Sequence, residues 1–171
     1  MIESKEDVLF KTLRKYYTND AHALESLTNV LRNKTKLSLR TLDWLVTNYS
    51  KKYNITYPHN GKVVNIYMEY KGCLKAYSKR LFDPFQRRER ISIMDSEGIP
   101  LQSTIGQLNF FRYAISNGII EYALHHMDDI EQDMLHSMKH RSSSGSKRKE
   151  LSRAAIKSAT ATDIKVTVRF S

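Results

Sequence analysis

In IYMEYKGCLKAYSKRLFDPFQRRER, residues 66–90, Tyr67, Tyr70, Leu74, Tyr77 and Leu81 recur every three or four positions. That spacing is one face of a 3.6-residue helix. Lys71, Lys75, Lys79 and Arg80 fall off that face, toward solvent. Asp83-Pro84 is expected to end the helix, because proline cannot continue it and restrains the residue before it. Arg87, Arg88 and Arg90 follow at once. The stretch reads as a helix with one face in a core and positive charge presented outward.

Working toward the N-terminus, Pro58-His59-Asn60-Gly61 separates two short runs, 54–57, which alternates, and 62–65. Asn-Gly supplies the positive φ angles of a tight hairpin. Before it, Ser38 caps a helix expected through Tyr53, with Leu42, Leu45, Val46 and Tyr49 inward. Trp44 lies off that stripe and is expected to pack against a neighbouring element. Ser4 and Asp7 form a capping box for a first helix with Val8, Leu9, Thr12, Leu13 and Tyr16 inward. A second helix, Ala21 to Arg32, places Leu24, Leu27, Val30 and Leu31 on one side.

Working toward the C-terminus, Arg90–Met94 alternates, 95–98 turns, and 99–101 suggests a second small β element. Ser103 or Thr104 caps a helix that Asn117-Gly118 stops. One long helix is expected from Ile119 or Ile120, with Ala123, Met127, Ile130, Met134 and Met138 in line. It carries Glu121, Asp128, Asp129, Glu131 and Asp133 and no Lys or Arg before Met138, an acidic face in a basic protein. From Arg141 a serine-rich linker leads to Lys147-Arg148-Lys149. Ile164, Val166, Val168 and Phe170 then share one side of a terminal strand.

The fold class is mainly α with small β elements: a helical domain with short hairpins over residues 1–140, a basic linker at 141–162 and a strand arm at 163–170. At 171 residues the chain has room for one core. The net charge of +10 favours an anionic partner or serves solubility. Cys73 is the only cysteine, which excludes an intrachain disulfide and a cysteine-cluster zinc site. No signal peptide is expected, and no run of 18 apolar residues exists to span a membrane.

Enzyme signatures do not stand up. Glycine is scarce and nowhere forms a phosphate-cradling loop. His125 and His126 are adjacent and diverge on a helix; His136 and His140 have metal-capable spacing but lack a third ligand pattern. No catalytic residue, metal or cofactor is expected. The better signal is the basic segment, in which Lys71, Lys75, Lys79, Arg80, Arg87, Arg88 and Arg90 outnumber two acids. It contacts a polyanion or partner, or forms a salt-bridged surface with the acidic helix. Lys147, Arg148 and Lys149 extend the same charge along the tail, whose strand docks either on its own domain or on a neighbouring chain.

Four strings carry a resemblance: LDWLVTNYSKKYNITY (42–57), NIYMEYKGCLKAYSKRLFDPFQRRERI (65–91), TIGQLNFFRYAISNGIIEY (104–122), and RKELSRAAIKS followed by DIKVTVRF. Together they resemble an uncharacterised family of small basic proteins of nucleocytoplasmic large DNA viruses, of the chlorovirus and mimivirus kind. The resemblance implies a viral protein of the infected cell, cytoplasm or nucleus, and of the virion. With the charge segregation it suggests a non-enzymatic structural protein, a minor capsid or capsid-associated assembly protein. Its partners are then other virion proteins, including copies of itself. The alternative is a viral DNA-binding protein, a transcription factor or genome-packaging protein. The helix-turn-helix-like 104–124 suits that role poorly, since its second helix has acids and no Lys or Arg.

Overall fold

The computed structural model describes residues 2–143. Residues through Leu135 form one compact unit, and those from His136 belong to a second. Helix α1 (Lys5–Asn19) opens on the expected capping box: Ser4 Oγ accepts from Asp7 N–H at 3.1 Å, and the Asp7 carboxylate accepts from Ser4 N–H at 3.2 Å. Its buried residues are Leu9, Leu13 and Tyr17. The inward stripe is therefore rotated from the expected one, leaving Val8 49% exposed and Tyr16 half-buried. Tyr17 turns the face, because its hydroxyl donates to Leu108 O at 2.7 Å inside the core.

Asp20 caps α2 (Ala21–Leu31), which buries Ala23, Leu27, Thr28 and Val30. Helix α3 (Leu39–Trp44), a π-helical turn (Leu45–Tyr49) and α4 (Ser50–Tyr53) make one continuous run. At the π-turn, Ser50 N–H reaches back five residues to Leu45 O. Leu42, Leu45, Val46 and Tyr49 face inward as expected.

Strands β1 (Thr56–His59) and β2 (Lys62–Asn65) pair antiparallel around Asn60-Gly61, both at positive φ, 47° and 77°. Asn65 then caps α5 (Ile66–Tyr77) through Met68 N–H at 3.0 Å. Strands β3 (Ile91–Met94) and β4 (Pro100–Ser103) pair with Ile93 opposite Leu101. Their turn is held by Asp95, which accepts from Ile99 and Glu97 N–H and ion-pairs with Arg32. The Ile99 amide leads the interactions that hold its carboxyl below the usual range, with burial opposing them.

Helix α6 (Ile105–Ser116), capped by Thr104, is the centre of the core. Phe110, Phe111 and Ala114 are fully buried, and Tyr113 OH donates to Ile66 O at 2.7 Å. Phe82, outside any helix, enters this core with its ring 5.3 Å from those of Phe110 and Tyr113.

The acidic region is two helices, not one: α7 (Ile119–His125) and α8 (Met127–Ser143). His126 leaves helical geometry at φ −116°, ψ 18° and stacks on Tyr122 at 4.1 Å, which in turn stacks on Tyr57 at 5.4 Å. The ring column draws the chain off the helix axis. The described residues thus hold seven helical runs, where five or six were expected. Helix α8 also continues through Arg141–Ser143, so the linker does not begin at Arg141. The rest of the linker, Lys147, Arg148 and Lys149, and the arm with Ile164, Val166, Val168 and Phe170 lie outside the described residues.

Candidate functional site

The central helix is shorter than its periodicity suggests. It ends at Tyr77, and Ser78 takes φ 61°, ψ 167°, a conformation L residues rarely adopt. Leu81 and Phe82 are still buried, but the irregular segment 78–90 delivers them. That segment is fastened to α6 by side-chain amides. Asn109 Nδ2 donates to Leu81 O at 2.9 Å, and Gln107 Nε2 to Pro84 O at 2.8 Å. Gln107 Oε1 accepts from Ser103 Oγ at 2.7 Å, and Asp83 N–H donates to Gly106 O at 3.2 Å. A β-carbon on Gly106 would lie 3.0 Å from Arg80 O, so glycine allows the close approach. Gln107 and Asn109 are themselves buried.

The basic side chains point outward from this frame. Lys71 and Lys75 stand on the exposed side of α5, and Lys79, Arg80, Arg87, Arg88 and Arg90 are exposed on the segment after it. Arg80 pairs with Glu6 at 3.0 Å, and Arg87 pairs with Asp83 at 3.3 Å while lying 4.9 Å from the Phe85 ring centre. Lys71, Lys75, Lys79, Arg88 and Arg90 form no ion pair among the described residues. Beneath them, burial pushes the Asp43 carboxyl up, the nearby Asp83 adds to the effect, and Arg87 and Lys79 oppose it. Tyr70 is pushed up to about 12, chiefly by burial and then by Asp43.

The acidic residues do not form one face. Glu121, Asp128 and Asp129 are exposed, and Glu131 is half-buried within 3.4 Å of Thr41 Oγ1. Asp133 faces inward and corrects the reading of it as a surface charge. It accepts from Trp44 Nε1 at 2.9 Å, Lys52 Nζ at 2.5 Å and Tyr53 OH at 3.2 Å. Burial would raise its carboxyl, but the Lys52 and Trp44 bonds outweigh it and hold the group low. Trp44 is thereby anchored, as packing against a neighbouring element predicts. The basic segment's ion pairs run to Glu6 and Asp83, not to α7 or α8.

The family described as "Family of unknown function (DUF7197)" matches residues 2–169. The chain belongs to this family. It is also 38% identical to "Uncharacterized protein L507" of Acanthamoeba polyphaga mimivirus, over 79% of this chain and 56% of the relative. The chain thus spans little more than half of that relative's length. No solved structure matches it. The comparisons support a viral protein of a giant-virus family.

For this member of DUF7197, the chemistry of single residues is modest. Cys73 is half-buried, and burial pushes its thiol up, away from a reactive thiolate. Among the described residues no three His, Cys, Asp or Glu side chains converge as a metal site. The His136 and His140 rings approach to 4.4 Å at the end of α8. Among the described residues no helix is long and apolar enough to cross a membrane. Two features went unread in the sequence: the Gln107–Asn109 clamp, and a groove where α1 meets the end of α5. Two amides in an otherwise apolar, nearly uncharged helix were the available signal for the clamp.

Proposed function

We propose that this chain is a non-enzymatic virion protein, a minor capsid or capsid-associated assembly component, whose basic segment docks on an acidic surface of a neighbouring protein. The observation that carries this is the fastened segment 78–90. Its backbone is held at Leu81 and Pro84 by buried Asn109 and Gln107, and Lys79, Arg88 and Arg90 of the same segment face solvent without ion pairs among the described residues. Preorganised charge loses less entropy on binding than charge on a mobile loop. The surface is mixed in sign, since Glu6 and Glu89 lie with Arg80 and Arg88 around one depression. Interleaved carboxylates suit a protein surface better than a continuous phosphate backbone.

Crosslinking mass spectrometry on purified virus particles tests it, read at Lys75 and Lys79. Crosslinks to capsid proteins or to another copy are expected. Absence of the protein from particles would sink the assembly reading.

The run of unpaired cations also favours a second reading, binding to viral DNA. It predicts duplex affinity that falls steeply with salt, with a shallower slope after neutralising Arg88 and Arg90. Salt-insensitive or absent duplex binding at low ionic strength rejects it.

A further inference from the structure

The reading above leaves out the groove between α1 and the end of α5. Lys5, Val8, Leu9 and Thr12 form one wall, Tyr77 and Arg112 the other, around about 440 Å³. Val8 is 49% exposed at its lip, and Leu9 and Tyr77 give it an apolar floor. A cation stands at each side, and neutral groups hold both. Lys5 Nζ donates to Ala76 O at 3.0 Å and lies 6.0 Å from the Tyr77 ring centre. Arg112 Nη2 donates to Asn109 Oδ1 at 2.8 Å and lies 3.4 Å from Tyr77 OH. Neither forms an ion pair among the described residues, so both charges are placed and uncompensated. Past Lys5 the trough continues by Ala76 and Ser78 to Lys75 and to Arg80, which Glu6 pairs.

We propose that this groove is a docking slot for an acidic segment of a partner protein that inserts one apolar side chain between Lys5 and Arg112. The volume falls within the roughly 300–1,000 Å³ of sites that enclose small ligands or a few side chains. The charge complementarity selects carboxylates beside the anchor, and the apolar floor selects the anchor itself. A phosphodiester strand would satisfy the cations but leave Val8 uncovered. The proposal rests on the reading that the chain docks neighbouring proteins, and it names one part of that surface.

The test uses the full chain, isotope-labelled, titrated with a hexapeptide of five acidic residues around one leucine. The same peptide with serine in place of leucine and a 20-base-pair duplex serve as controls. Amide shifts are expected to cluster at Val8 and Thr12, and the serine peptide to bind at least tenfold more weakly. Val8→Asp and Lys5→Glu should each weaken the leucine peptide at least tenfold, while Lys62→Glu, exposed on β2, changes it less than twofold. Unchanged melting by circular dichroism shows that each variant is folded. Equal affinity for the serine peptide, tighter duplex binding at the same amides, or no shifts at millimolar peptide each overturn the slot. If the slot fails while particle crosslinks from Lys79 to capsid proteins persist, the assembly reading stands without it.

Discussion

Asp133→Ala should destabilise the protein by an amount the structure allows to be worked out. The Asp133 side chain is 6% exposed and accepts bonds from Trp44 Nε1, Lys52 Nζ and Tyr53 OH. A hydrogen bond to a charged group contributes about 1.5–3 kcal/mol, and Trp44 N–H loses its acceptor in a part-buried place. Lys52 is 53% exposed, so its pair is screened and it rehydrates on truncation, adding little to the loss. The expected loss is therefore roughly 1.5–3 kcal/mol at pH 7. Urea unfolding of the full chain reads it, followed by circular dichroism and by the fluorescence of Trp44, the single tryptophan. The pH dependence has a definite sign. The native carboxyl is held below its ordinary 3.8, so its stabilisation is fully present above that value and fades as pH falls through the lower native one. The wild type and variant should therefore converge in strong acid. A loss below about 0.5 kcal/mol at pH 7 would refute the assignment of Asp133 as the acceptor that ties α8 to α3.

Asp43→Asn should raise the urea midpoint at pH 7. Burial raises the native carboxyl, so ionised Asp43 costs stability once pH climbs past 3.8 through that raised value; the gain should vanish near pH 3. Gly118→Ala should cost at least ~1–2 kcal/mol in the same assay, because Gly118 sits at φ 68° and a β-carbon would stand 2.7 Å from the His59 ring. Ser78→Gly should stabilise by about 0.5–2 kcal/mol, since glycine relieves the φ 61° strain and returns part of that gain as unfolded-state entropy. A neutral or lower midpoint for that variant would show that the Ser78 backbone is not strained.

Turn chemistry was the most legible part of this fold. Asn60-Gly61, Gly118 and the caps at Ser4, Ser38 and Thr104 behave as their residue types require, because each acts through its own few neighbours. What failed depended on distant partners. Tyr17 rotates α1 because Leu108 O is there to accept, and Asp133 turns inward because Trp44 and Lys52 reach it from another helix. The early end of α5 was hidden for a related reason. Leu81 keeps the helical spacing and is buried, yet it arrives through an irregular segment whose amides are satisfied by α6. Of the site, the identities and exposure of Lys71, Lys75, Lys79, Arg88 and Arg90 were legible, but the Arg80–Glu6 and Arg87–Asp83 pairs run to unforeseen acids. The groove was not legible, because Val8 had been placed in the core.

The Gln107–Asn109 clamp bears on why the basic segment is built as it is. Burying a primary amide is unfavourable unless its bonds are met, and here they are met by backbone carbonyls of Leu81 and Pro84. An apolar pair would fill the same space if the segment were only a cover for Phe82. Charge kept for solubility alone needs no fixed geometry, because it works as well on a mobile loop. Holding the Leu81 and Pro84 carbonyls instead restrains the middle of the segment that carries exposed Lys79, Arg88 and Arg90. On the proposed assembly reading, Gln107→Leu with Asn109→Leu should lower co-sedimentation of the full chain with purified virus particles while leaving its solubility unchanged; undiminished co-sedimentation would show that the clamp does not serve docking.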